Sequence, residues 1–231
     1  LSVSTNAFAK ERVFVLTDLS NEPDDEQSLV RFLVYSNEFD VEGIVATTSV
    51  HLKKKPREDL IHRQLEAYSR IQKNLTVHKS GYPTKQQLEG VTSTGQLGFG
   101  MKSVGEEKSS PGSRLLLAAA QHKDDRPLWV TIWGGANTLA QALFDAQKEL
   151  PEETLNSIVK KLRVYSISDQ DDAGRWLRQE FPELFYIVSP SSPYDWYEYY
   201  KATWVGISGE KFNRLAEGLN IEMVENPWLE E

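Results

Sequence analysis

The chain predicts an α/β fold, a mostly parallel sheet with helices on both faces. Three observations lead there. Apolar, β-branched runs of strand length alternate with stretches of helical periodicity from Arg12 to Val188. The predicted strands end in polar residues at their carboxyl ends: Thr17-Asp18, Thr47-Thr48-Ser49, Trp133-Gly134-Gly135 and Ser168-Asp169. The length of 231 residues, with 39% hydrophobic and 26% charged residues, is ample for one large buried core.

The first element is the run Val13 to Leu16, which reads as a strand. A polar loop with Pro23 follows, and Asp24-Asp25-Glu26 then open a helix with apolar positions at Leu29, Phe32 and Leu33. Val41 to Thr48 reads as a second strand. After Pro56, the spacing of Leu60, Ile61, Leu65, Tyr68 and Ile71 predicts a helix with one apolar face. Leu75 to His78 reads as a short strand. The glycine- and serine-rich segment Ser80 to Gly112, with a short helix near Lys85 to Leu88, is too long for a simple connection and is expected to form a lid or rim.

Ser113 to Ala120 reads as a helix and Leu128 to Ile132 as a strand. Asn137 to Glu149 reads as a helix that Asn137 caps. A strand at Leu162 to Ile167, a helix at Asp172 to Phe181 and a strand at Leu184 to Val188 complete the alternation. Such an order brings the carboxyl ends of the strands to one crevice.

Composition narrows the partners. A formal charge of −8 argues against a nucleic-acid backbone, since such binders present a basic face. No apolar run approaches the length of a membrane span, so no membrane partner is expected. The absence of cysteine removes disulfides and thiolate chemistry. Leu1 to Lys10 carry no apolar signal-peptide core, as in an exported protein whose leader has been removed.

The stretch most informative about chemistry is Asp18 to Asp25. Asp18 ends a buried strand, and Asp24 and Asp25 begin the next helix, where the positive end of the helix dipole favours carboxylates. Acids crowded at one point raise one another's pKa unless a cation or a shared proton relieves them, and a hard divalent ion with oxygen ligands is the simplest relief. The alternative at this point is that the three acids merely cap their elements.

The Asp18, Asp24-Asp25 arrangement, the block Glu42 to Thr48, the turn Trp133-Gly134-Gly135-Ala136-Asn137-Thr138-Leu139-Ala140 and the block Ser168-Asp169-Gln170-Asp171-Asp172-Ala173-Gly174 together resemble the inosine-uridine nucleoside hydrolases. Within that superfamily they are similar to the nucleoside-hydrolase-like domain of secreted cellulose-binding proteins, from about Arg12 onward. The resemblance implies a single Rossmann-like domain over residues 1–231 with a C-terminal continuation, and a secreted or periplasmic location. It implies one Ca2+ and a water whose proton is taken by Asp18, with Asp18, Asp25 and the backbone at Asn137 as metal ligands. Asp24 matches the residue that holds sugar hydroxyls, and Asp169, Asp171 and Asp172 fall where the family places further groups around the sugar.

Asn21, Glu22, His51 and Trp133 complete the candidate substrate-binding set. The implied activity is hydrolysis of an N-ribosyl or other glycosidic bond, the alternative being a non-catalytic carbohydrate-binding module. A sugar-containing molecule or polysaccharide is the expected partner, and a homo-oligomer stays open.

The chain departs from the family pattern in three places. The loop Leu19-Ser20-Asn21-Glu22-Pro23 is two residues longer, Val50-His51 stand where hydrolases carry a ribose-gripping asparagine, and the late aspartate of the calcium shell has no match. The aromatic run Tyr194 to Tyr200, followed by Trp204, is read either as a sugar-stacking surface or as core packing.

Overall fold

Six strands form one sheet: β1 (Glu11–Thr17), β2 (Phe39–Ala46), β3 (Thr92–Thr94), β4 (Leu128–Ile132), β5 (Leu162–Ser166) and β6 (Phe185–Val188). The structure, a computed structural model, describes residues 9–20 and 23–189. Every pairing among these strands is parallel, and the spatial order is β3-β2-β1-β4-β5-β6. From β1 the chain builds outward to β3, then returns to place β4 on the other side of β1. The direction of winding therefore reverses between β1 and β4, the kind of switch point at whose carboxyl edge open α/β sheets place their ligand crevice.

Seven helices cover the sheet among the described residues, and both faces are covered as the sequence predicts. Along β2, Ile44 and Ala46 join one core cluster while Val45 joins the other, the period of two that a strand buried on both faces requires. On the first face, α1 (Pro23–Val34), α2 (Glu58–His78) and α3 (Lys85–Glu89) bring Leu29, Leu33, Ile61, Leu65 and Leu88 onto Ile44 and Ala46. On the second, α4 (Pro111–Gln121), α5 (Asn137–Glu149), α6 (Glu152–Lys161) and α7 (Ala173–Glu180) pack Leu116, Leu139, Leu143, Ile158 and Leu177 against Phe14, Leu16, Val130 and Val164. No helix among the described residues is long and apolar enough to cross a membrane.

Local readings are corrected at several points. Leu75 to His78 is the last turn of α2 and not a strand: Leu75 stays on the stripe that faces the core, while Val77 points to solvent. A short run of β-branched and apolar residues cannot be told from a helix end by pattern alone. The segment Ser80 to Gly112 contains the edge strand β3, whose Thr-Ser-Thr sequence gives no apolar signal. Helix α6 was not expected, since its apolar stripe is only Leu155, Ile158 and Val159. Helix α5 is capped by Ala136 without a side-chain bond, and Asn137 is its first residue with its amide used elsewhere.

At the amino-terminal edge of the sheet the fully buried Arg12 donates to Glu42 (2.8 Å) and to the Ala119 carbonyl (2.7 Å), tying β1, β2 and α4 together. Phe14 sits one strand turn further on, with its ring lying flat where a side chain on Gly43 would stand. The β1–β2 register slips between Val13 and Phe14 to admit this packing. Gly43→Ala is therefore expected to destabilise the fold by about 1–3 kcal/mol through overpacking. Urea denaturation checks this, and Phe14→Leu in the same chain should recover part of the loss.

Candidate functional site

Asp18 follows β1 directly and is buried, and α1 brings Asp25 to it from the first helical turn. One oxygen of Asp25 accepts two bonds, from the Thr17 hydroxyl and from the Asp18 backbone amide (2.9 Å). Burial, with repulsion from the neighbouring Asp18 carboxylate added to it, pushes the Asp25 carboxyl well above the ordinary aspartate range, against the pull of the Thr17 hydroxyl. Asp24 is half-buried on the same turn and adds a weaker repulsion. Asn21 and Glu22 lie outside the described residues.

Opposite β1, the turn after β4 passes so close to the acids that a β-carbon on Gly134 would stand 2.9 Å from Asp18 Oδ1 and 2.9 Å from Thr47 Oγ1. Only glycine fits there. Gly135 likewise faces the Thr48 carbonyl and Asp171, each 2.6 Å from its missing β-carbon. Asp171 is buried and spends its oxygens on backbone amides, Oδ2 on Asn137 (3.2 Å) and Oδ1 on Ala173 (3.0 Å). Burial raises its pKa to about 6, with the Ala136, Ala173 and Asn137 amides working the other way. Asp171 thus acts on the Gly134-Gly135-Ala136 turn as a positioning residue.

The remaining predicted residues divide. Asn137 is fully buried, and its Nδ2 donates to Thr48 Oγ1 (3.2 Å) and to the Gly98 carbonyl (2.8 Å), leaving Oδ1 without a partner. Asp172 is exposed and accepts from the Met101 amide (2.7 Å). Asp169 is clamped by Arg178 at 2.9 and 2.6 Å. His51 is half-buried in a turn fixed by the Ser49 hydroxyl, which accepts its backbone amide at 3.0 Å. The Trp133 indole packs edge-on against Phe32 at a centroid distance of 6.4 Å, on the α1 side of the sheet. The aromatic run Tyr194 to Tyr200 and Trp204 lie outside the described residues.

Two features were not legible from residue spacing. Gly98, in the segment after β3, accepts from both Thr48 Oγ1 (3.1 Å) and Asn137, so this segment forms a fixed rim across the ends of β2 and β4. Two glutamine side chains fasten it further. Gln96 donates to the Ser103 and Lys108 carbonyls, and Gln141 on α5 exchanges bonds with Gly105. The second is the Thr47 hydroxyl, fully buried beside Asp18 and without a partner. A pair of threonines at a strand end was the only signal for it.

The donor set suits a hard cation in kind. The Asp25 carboxylate accepts from the Asp18 amide and feels the Asp18 charge, and the unpartnered buried oxygen of Thr47 faces the same glycine as Asp18 Oδ1. Among the described residues, no three histidine, cysteine or acidic side chains converge as a metal cluster.

Residues 12–231 match the family model described as cellulose-binding Sde182, nucleoside hydrolase-like domain. A solved structure, described as a nucleoside hydrolase-related hypothetical protein from Saccharophagus degradans that is associated with carbohydrate metabolism, is 44% identical with a TM-score of 0.76. The match covers 80% of this chain and 47% of that one, so the chain spans about half the length of the solved protein. No curated protein matches. With the parallel sheet, the reversal between β1 and β4 and the acids placed at that reversal, the match over residues 12–231 shows that the chain belongs to the nucleoside-hydrolase-like domain family of the Sde182 cellulose-binding proteins.

Proposed function

We propose that the crevice between β1 and β4 binds Ca2+ and a sugar, and that it hydrolyses a glycosidic bond with Asp18 as base. The observation that carries this reading is the burial of Asp25 against Asp18, two acids held together where one would otherwise need a proton. Family membership supports a carbohydrate or polysaccharide as the partner. The solved relative's association with carbohydrate metabolism points the same way.

Asp18 and Asp25 are the charged ligands in this reading. Ca2+ held there would lower the pKa of a water and hold sugar hydroxyls. Asp18 takes the proton of the attacking water, Asp24 accepts from sugar hydroxyls, and the water oxygen bonds to the oxocarbenium-like anomeric carbon as the glycosidic bond breaks, the leaving group departing with the bonding pair and taking a proton from solvent. Asp171 keeps the glycine turn pressed against the acids, and the rim at Gly98 closes the opposite wall. A second reading, a non-catalytic cellulose-binding module, is favoured by the family description and by the lack of a third converging acid among the described residues. Both readings require the sugar, and only the first requires turnover.

Two measurements separate them. Calorimetric titration with Ca2+ should show Asp18→Asn and Asp25→Asn binding at least about tenfold more weakly than wild type, since affinity follows the charge count of the ligands. In a hydrolysis screen over nucleosides and β-glucans, Asp18→Asn should lose about 10^2–10^4-fold of the rate. Glucan binding by wild type with no turnover would establish the module reading instead.

A third measurement uses pH and tests the buried acids themselves. An aspartate whose folded pKa is raised binds its proton more tightly in the folded chain, so its contribution to stability is greatest below the unfolded value near about 4 and is lost as pH rises through the folded value. For Asp171 that window runs from the ordinary aspartate range to about 6, and Asp25 titrates in the same direction. In chelator at pH 7, Asp25→Asn should melt higher than wild type, because one asparagine oxygen can still accept from Thr17 and the Asp18 amide. Saturating Ca2+ should reverse that order.

A further inference from the structure

We propose that Thr47 supplies a neutral third oxygen to the cation held by Asp18 and Asp25, an inference that rests on the calcium reading above. Thr47 follows the last residue of β2, and its amide donates to the Thr17 carbonyl at 2.7 Å, locking it beside the end of β1. Its side chain is fully buried and its hydroxyl has no partner.

The other threonine hydroxyls at this edge are engaged: Thr17 with Asp25, Thr48 with the Gly98 carbonyl, and Thr138 with the Gln96 amide at 3.3 Å. A buried hydroxyl without a partner is disfavoured unless something else uses it. A β-carbon on Gly134 would stand 2.9 Å from both the Thr47 oxygen and Asp18 Oδ1, so the two oxygens face the same bare glycine backbone, where no side chain separates them.

Charge decides why a hydroxyl suits this place. Asp18 and Asp25 already match the two positive charges of Ca2+, so a further ligand need not carry charge. A hydroxyl adds coordination without adding charge, and Ca2+ takes six to eight oxygens of any kind.

The test is calorimetric titration of the whole 231-residue chain with Ca2+, comparing wild type, Thr47→Val and Thr47→Ser, alongside melting curves in chelator. Thr47→Val should bind Ca2+ about tenfold more weakly, and Thr47→Ser should bind as wild type does. In chelator Thr47→Val should melt at or above the wild-type temperature, because it keeps the shape and removes an unpartnered hydroxyl. Equal affinity in wild type and Thr47→Val overturns this inference alone. A wild type that takes up no Ca2+ overturns it together with the reading beneath it, and a Thr47→Val that melts lower in chelator assigns the hydroxyl to packing.

Discussion

One buried carboxylate fixes the geometry of the crevice. Asp25 closes the loop from β1 to α1 by accepting from the Thr17 hydroxyl and the Asp18 amide, so the strand end and the helix start are held by the same oxygen. That shared oxygen is a polar tie between the start of α1 and the sheet. With it, Asp18 is pinned next to a second acid in a place that water barely reaches. Taking a charged group out of water is costly unless it is paired, and the chain accepts that cost where a ligand can repay it.

Everything else at the carboxyl edge follows from making room around that pair. Gly134 and Gly135 let the turn after β4 come within contact of Asp18, Thr47 and the Thr48 carbonyl. Asp171 holds this turn by its amides. The segment after β3 crosses to the same place and is fastened through Gly98, Gln96 and Gln141. The long glycine-rich segment is therefore a wall with its own hydrogen bonds, which explains how a stretch of such low hydrophobicity can be ordered against the core. At the opposite edge, Arg12 and its partners Glu42 and Ala119 tie the strands together and face no crevice. The buried arginine cluster and the candidate site are thus placed at opposite ends of the same strands.

Membership in the nucleoside-hydrolase-like family and the departures from its pattern are consistent with this arrangement. The loop after Asp18 is longer than in the hydrolases, yet Asp25 returns to the Asp18 amide, because a helix start can be reached from the strand end by loops of more than one length. Asp169 is bound to Arg178 and Asp172 to the Met101 amide, while Asp171 reaches the glycine turn beside Asp18.

The sequence by itself determined the alternation of strands and helices, the parallel sheet and the acids at the end of the first strand. These are local facts: a period of two or of 3.6, a proline, a pair of acids at a helix start. It misjudged Leu75 to His78, β3 and α6, where the apolar signal was short, absent or sparse and packing against neighbours decided the state. It also made Asn137 a helix cap, whereas the fold spends that amide on Thr48 and Gly98, residues 89 and 39 positions away. Only the tertiary structure decided that Asp171 braces a turn, that Trp133 packs on Phe32 and that the Thr47 hydroxyl is left beside Asp18. Each depends on contacts between strands distant in sequence, and no spacing along one chain encodes which side chain will be left without a partner.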